Sequence, residues 1–297
     1  MRIVTNPGSN LSPAAVERYD VHVAPQQIIV DGEAHDTRDG ISFDVIDGWV
    51  RTAKVHPYVV GTTAAEFVAM FRELSVSDRE ILAVMTSRRI IGSHDAAVSA
   101  GRTLASHPGS EDVRVAVADS GVTDVGAGLA TILAGESRRA GRSLDETAKL
   151  VDAYRRHVRF AFLPATLDYL VKGGRATALR AFMADLLRVR PIVGFVDGEV
   201  KPLTKVATKI DPAISLSTYV VKELREGRPA WIAVCHGGDP ALAEALELEL
   251  RKRLDVRFAY SRPLSPSIYL HGGPGSLSCA AVPIDALPWQ PPTPPRL

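Results

Sequence analysis

The chain has 297 residues, room for two modest domains or one large one, and its 46% hydrophobic content is ordinary for a protein that buries a core. A net charge of +1, with no basic cluster interleaved with aromatics, leaves no electrostatic footprint for nucleic acid or an anionic membrane. Two cysteines, Cys235 and Cys279, are too few for a disulfide framework or a closed zinc site, so buried inert thiols are expected and no metal or other cofactor is implied. No apolar run reaches the ~18 residues that span a bilayer, and Met1–Asn10 has no apolar signal-peptide core, so a cytoplasmic protein without an integral membrane segment is expected.

Met1–Thr5 reads as a first strand and Asn6-Pro7-Gly8-Ser9-Asn10 as a turn cluster; Ser12 caps a helix that Pro13 opens. Val21–Val30 reads as a second strand turned at Asp31-Gly32, and Ser42 caps a helix over Phe43–Ala53. Pro57–Thr63 reads as a loop whose Thr63 caps a helix over Ala64–Leu74. Ile81–Met85 is apolar throughout, the mark of a strand buried on both faces, and Thr86–Gly92 forms a loop before a helix capped by Ser93. Strand, polar loop and helix N-terminus together suit an anion, and Arg88 and Arg89 add positive charge, although plain capping accounts for Ser93 equally well. Val113–Ala118 is a further strand closing at Asp119-Ser120-Gly121, followed by a small-residue helix over Gly126–Ala140. Ser143 and Glu146 form a capping box for a helix reaching His157. Residues 1–157 therefore alternate strand and helix, which predicts an α/β domain of three layers around a parallel sheet. Ligands of such sheets bind at strand carboxyl ends, here Asn6–Asn10, Gly61–Thr63, Thr86–Ser93 and Asp119–Gly121.

The pattern then changes. A strand at Arg159–Leu163 leads to a short helix at Leu167–Val171, halted by Lys172-Gly173-Gly174-Arg175, and a helix over Ala178–Val189 is stopped by Pro191. Asp197-Gly198 turns a hairpin between Ile192–Val196 and Glu199–Leu203. Helices over Pro212–Glu226 and Pro240–Leu254 alternate with strands Trp231–Cys235 and Val256–Tyr260, and Ser267–Leu270 and Ser278–Pro283 flank the loop His271-Gly272-Gly273-Pro274-Gly275. This predicts an α+β domain over residues 158–287 with a mixed or antiparallel sheet. A tail at 288–297, with five prolines, is expected to be extended and disordered.

In this order the segments resemble the DegV family of bacterial fatty-acid-binding proteins over about residues 1–285. The matching segments are Met1–Thr5 with Leu11-Ser12-Pro13, Val21–Glu33, Asp119-Ser120, Thr166–Ala176 with its Leu-x-x-Gly-Gly-Arg, Arg190–Val206, and His271–Gly275 against a His-x-Gly-Pro-Gly motif. The resemblance implies a DegV-like fold and a long-chain fatty acid with its tail in a buried apolar tunnel and its carboxylate at the interdomain cleft. It also implies a non-catalytic carrier that, in some members, presents the acid to a separate fatty acid kinase. Carried over position by position, the ligand-binding residues are Ser87, Arg88, Gly92, Ser93 and His271, with Thr62 and Thr63, and Arg175 is a phosphate or partner contact. The chain departs from the family where Tyr58-Val59-Val60-Gly61 replaces Thr-Thr-Ser-Gln, where Asn6 replaces the opening Asp and where Ala207 replaces an Arg. An alternative is a DegV-fold protein that has lost fatty-acid binding and takes another small acid or a protein partner.

Two enzyme readings are disfavoured. A hydrolase would place its oxyanion loop before its nucleophile, whereas His271-Gly272-Gly273 follows the weak elbow-like Ala97-Val98-Ser99-Ala100-Gly101. A phosphoryl-transfer enzyme of the related dihydroxyacetone-kinase type would need a Gly-Lys-Ser/Thr loop or a carboxylate cluster for magnesium, and the sequence offers neither.

Overall fold

The computed structural model describes residues 1–37, 40–174 and 189–297. Its strands are β1 (Arg2–Thr5), β2 (Val21–Val23), β3 (Gln27–Val30), β4 (Glu33–Asp36), β5 (Tyr58–Val60), β6 (Glu80–Met85), β7 (Arg114–Asp119), β8 (Arg159–Leu163), β9 (Val189–Val196), β10 (Glu199–Ala207), β11 (Pro229–His236), β12 (Asp255–Pro263) and β13 (Leu277–Pro283). The α-helices are α1 (Pro13–Arg18), α2 (Phe43–Thr52), α3 (Ala64–Ser75), α4 (Ser93–Ala105), α5 (Asp124–Arg139), α6 (Leu144–His157), α7 (Asp168–Lys172), α8 (Pro212–Leu224), α9 (Pro240–Arg251) and α10 (Pro266–Gly272).

The first sheet is wholly parallel, in the order β2-β1-β6-β7. Along β6, Ile81, Ala83 and Met85 pack with Phe67 and Phe71 of α3 and Ala97 and Ala100 of α4, while Leu82 and Val84 join the core on the other face with α5 and α6. A strand covered on both faces has no polar side, which is why β6 is apolar without alternation. The second sheet is mixed, in the order β10-β9-β8-β13-β11-β12, with only β11 and β12 parallel. Its outer face carries α8 and α9 through Leu216, Val220 and Leu246. Its inner face, with Phe160, Trp231, Phe258 and Tyr260, meets α5. Residues Asp124–Ser137 of α5 are all buried, so this helix is a layer common to both sheets. Close approach explains its glycines: a Cβ on Gly128 would lie 2.5 Å from the Ser9 carbonyl, and one on Gly135 2.5 Å from the Tyr19 ring.

Several expectations are corrected. Val21–Val30 is not one strand: Pro25 interrupts it, so β2 stays in the parallel sheet while β3 joins the small antiparallel sheet β4-β3-β5. Part of the expected Pro57–Thr63 loop is β5. Gly92, not Ser93, is the N-cap of α4, and Ser93 is its first helical residue. Ser267–Leu270 lies inside α10, so His271 sits in the last turn of a helix rather than in a loop. The expected helix over Ala178–Val189 falls outside the described residues except for Val189, which belongs to β9. The tail packs down instead of hanging free: Pro291 and Pro294 are buried, Leu297 reaches the core, and the Arg142 guanidinium lies 5.4 Å from the Trp289 ring centre.

At the start of α5, Asp124 adopts φ +53° and is fully buried. Its Oδ1 accepts from the Asn10 side chain at 2.7 Å and from the Ser265 N–H at 3.1 Å. Burial outweighs these bonds and pushes the carboxyl up to about 6. An unfolded Asp titrates near 3.9, so between those values the folded chain holds the extra proton. The resulting stabilisation is fully present below about pH 4 and is lost as pH rises through about 6, a swing of roughly 2–3 kcal/mol. Asp124→Asn is therefore expected to flatten the dependence of unfolding free energy on pH across this window. Urea titrations at several pH values check it, and identical slopes in variant and parent would refute it.

Candidate ligand-binding crevice

The carboxyl ends of β1 and β6 deliver Asn6 and Thr86 side by side. The Asn6 amide donates to the Thr86 hydroxyl at 3.1 Å, and the Thr86 backbone N–H donates back to Asn6 Oδ1 at 3.3 Å. Over this clasp opens a cavity of 440 Å³, bounded on the far side by Lys172–Gly174 at the end of α7, by Ile268 and His271 of α10, and by His56–Val59. Beneath it lies an apolar pouch of 50 Å³ walled by Phe160, Phe162, Leu170, Val193 and Phe195. Ile90, Thr123, Ile268 and His271 line both spaces, so His271 stands where a wider mouth of mixed lining meets an aromatic pouch.

Local sequence dictates the position of His271. Ser265-Pro266 opens α10, and Gly273, at φ +69°, ends it about two turns later. A Cβ on Gly273 would strike the Tyr169 ring at 2.2 Å, and one on Gly173 would come within 2.0 Å of His271 Nδ1, so both glycines exist for close approach. Tyr269 fixes the helix by donating its hydroxyl to Asp47 while Phe43 packs edge-on against its ring at 4.8 Å. His56 Nε2 lies 2.7 Å from the Leu270 carbonyl; a carbonyl only accepts, so Nε2 carries the proton. Burial lowers the His56 pKa, against the opposing effect of that bond, and favours the neutral ring. Positive charge at the rim comes from Lys172, whose ammonium lies 5.7 Å from the centre of the Tyr169 ring.

Of the residues expected to hold a ligand, the structure brings His271 to this cavity and places the others elsewhere. The Ser87 hydroxyl donates to the Gly198 carbonyl at 2.7 Å, and its N–H to the Val122 carbonyl at 2.8 Å. Arg88 faces the buried Asp119 carboxylate at 3.8 Å, which Arg155 also approaches at 3.4 Å. Arg89 pairs with Glu199 at 3.4 Å. The Ser-Arg-Arg segment thus fastens the first sheet to the tip of the β9–β10 hairpin, while the flanking Thr86, Ile90 and Ile91 line the cavity. Thr62 donates to the Pro25 carbonyl, and Thr63 closes a capping box with Glu66. Gly92 is exposed at the start of α4. Ser93 is buried, its Oγ has no hydrogen-bond partner among the described residues, and Gly61 packs against it. Arg175 lies outside the described residues. Sequence reasoning did not single out His56, Thr123 or Lys172: His56 precedes Pro57 at the edge of a segment read as loop, and Lys172 was absorbed into a helix stop.

Ser99 lies within α4, away from any strand-to-helix turn. Among the described residues no group of three or more His, Cys, Asp or Glu could hold a metal ion, and no described helix is long and apolar enough to cross a membrane.

The geometry has close counterparts. A fatty-acid-binding DegV family protein from Thermus thermophilus superposes with a TM-score of 0.85 at 25% identity, covering 95% of this chain and all of the other. A stearic-acid-binding protein from Eubacterium ventriosum, 20% identical over 95% of this chain and 98% of its own, shares the fold with a TM-score of 0.82. In sequence, a DegV domain-containing protein of Streptomyces coelicolor is 29% identical over 278 residues, 93% of this chain and 95% of the relative. One from Streptococcus pyogenes serotype M1 is 27% identical over 279 residues, 93% and 96% of the two chains. The sequence model of the DegV family, described as uncharacterised proteins, matches residues 1–283. With its two large sheets, its His-Gly-Gly-Pro-Gly segment and this match over residues 1–283, the chain belongs to the DegV family.

Proposed function

We propose that this protein is a non-catalytic, cytoplasmic carrier that binds one long-chain fatty acid, carboxylate in the wider cavity and alkyl chain entering the pouch. The observation that carries the reading is the position of His271 at the junction of the two spaces. Thr86, whose hydroxyl accepts from Asn6 and keeps its own proton, and His271 supply donors around the head group, and hydrogen bonds to an ionised carboxylate are roughly twice as strong as neutral ones. The chain contributes by apolar burial, about 0.8 kcal/mol per CH2. At 50 Å³ the pouch takes only the first part of a chain, so uptake of the rest requires Phe160, Phe195 and Leu170 to rotate apart. That the Thermus thermophilus and Eubacterium ventriosum proteins are described as binding fatty acids supports the reading. The same proposal extends to presentation of the bound carboxylate to a separate kinase approaching over Lys172 and Gly174.

Mass spectrometry of an organic extract of the purified protein tests it, with denatured intact mass as control. A stoichiometric long-chain fatty acid is expected. Combining His271→Ala with Thr86→Val is expected to weaken palmitate binding at least tenfold, about 1.4 kcal/mol. An empty extract and no uptake of added palmitate or oleate would overturn the proposal. A carrier of another small acid, or a partner-binding module, would take its place, in keeping with the backbone of Tyr58–Val60 being committed to β3.

A further inference from the structure

Behind the crevice, past the hydrogen bond from the Gln26 amide to the Ser267 hydroxyl at 2.7 Å, lies a second cavity of 370 Å³. Arg262, at the end of β12, forms part of its wall. Arg262 also lines an adjoining chamber of 220 Å³ whose other walls include Ile41, Phe43, Ile46 and Leu264. The side chain is partly buried, its Nε is shut off from solvent without an acceptor, and it has no ion-pair partner among the described residues. Other partly buried arginines are matched: Arg18 with Glu136, Arg155 with Asp119, and Arg138 with the Tyr19 carbonyl. No described carboxylate lines either space, and Arg262 is the one cation among their described lining residues. Ser267 accepts from Gln26 and keeps its own hydroxyl proton to donate.

The Nε–H of Arg262 is shut off from water without an acceptor, and no described lining residue of either space is a carboxylate, so an anion beside it supplies what that donor lacks. From this juxtaposition we propose a second ligand site, specific for a carboxylic acid with a compact apolar body. The carboxylate takes the fork of Arg262, with Ser267 as a further donor, and the body lies between Ile41, Phe43, Ile46 and Leu264. A carboxylate suits one planar fork bidentately, whereas a phosphate dianion would bring a second charge that no described cation meets. The apolar chamber likewise excludes small inorganic anions as the natural occupant. The proposal does not depend on fatty acids binding in the crevice.

The test is calorimetric titration of hexanoate into the full-length protein, with hexanol as the uncharged control. Hexanoate is expected to bind saturably, to bind equally when an excess of palmitate is present, and to bind at least tenfold more weakly to Arg262→Gln, with hexanol indifferent to that change. Ile41→Trp, which fills the chamber and leaves the arginine in place, is expected to exclude hexanoate and supplies the answer if Arg262→Gln does not fold. No saturable binding by the parent protein overturns the proposal. So does an affinity that neither variant alters, or competition by palmitate, which would assign hexanoate to the crevice. If palmitate itself does not bind, the comparison of parent and variants still decides the question, because it needs no occupied crevice.

Discussion

Replacing Trp231 with alanine is expected to lower the unfolding free energy by about 3–5 kcal/mol. Trp231 is 1% exposed, on the face of β11 that meets the common layer formed by α5. Its ring stands edge-on to Phe258 with centroids 5.2 Å apart, and Phe258 in turn stacks over Tyr260 at 6.4 Å. Truncation removes the largest side chain of this aromatic row and opens a cavity that α5 cannot close, because the same helix is pressed against the first sheet. Its indole Nε1 is buried without an acceptor, so the loss is one of packing and not of a hydrogen bond. Trp231→Phe, which discards that unmatched donor while keeping a ring, is accordingly expected to cost much less than its lost volume suggests. Urea denaturation of the three proteins gives the comparison. A loss below about 1 kcal/mol for the alanine variant would mean that the interface repacks, and the account of α5 as a rigid shared layer would fall.

Gly173→Ala is expected to reduce fatty-acid affinity at least tenfold while changing stability little. The backbone of Gly173 has no positive φ, so alanine introduces no strain of its own. The added methyl carbon would sit 2.0 Å from His271 Nδ1 and 2.6 Å from its Cε1, and the ring must swing out of the junction between mouth and pouch. Gly173 is half-buried at the end of α7, and beyond the ring the nearest atom the methyl meets is the Tyr169 carbonyl at 3.1 Å, a gap that a shift of a few tenths of an ångström relieves. Palmitate titration together with thermal melting measures both effects. Unchanged affinity would remove His271 from the proposed site, and a large drop in melting temperature would mean that the glycine serves the fold instead.

Much of the architecture is legible in the chain. The unbroken apolar run Ile81–Met85 announces a strand with helices on both faces, and Asp197-Gly198 announces the hairpin. Local signals fail where a neighbour distant in sequence decides. Tyr58–Val60 becomes a strand only because β3 lies beside it, and Pro25 sends the two halves of Val21–Val30 to different sheets. The site is harder to read for the same reason. Hydroxyls and charges in the Ser87–Arg89 loop look available for a ligand until Gly198, Asp119 and Glu199, all remote in sequence, are seen to occupy them. His271 was singled out through the likeness of His271–Gly275 to the family's His-x-Gly-Pro-Gly motif, and it lines both spaces of the crevice. His56 and Lys172 left no such mark, since neither has a helical or strand period that singles it out.

The order of the second sheet bears on how the protein is made. β13, last of the strands in the chain, lies between β8 and β11 and pairs with both. During synthesis β8 and β9 emerge early with an open edge that has no permanent occupant until Leu277–Pro283 appears. The first sheet, whose strands lie between Arg2 and Asp119, can close long before that moment. Folding of the second sheet therefore waits for Leu277–Pro283, and until that strand arrives the unpaired edge of β8 is the surface through which a nascent or truncated chain would aggregate.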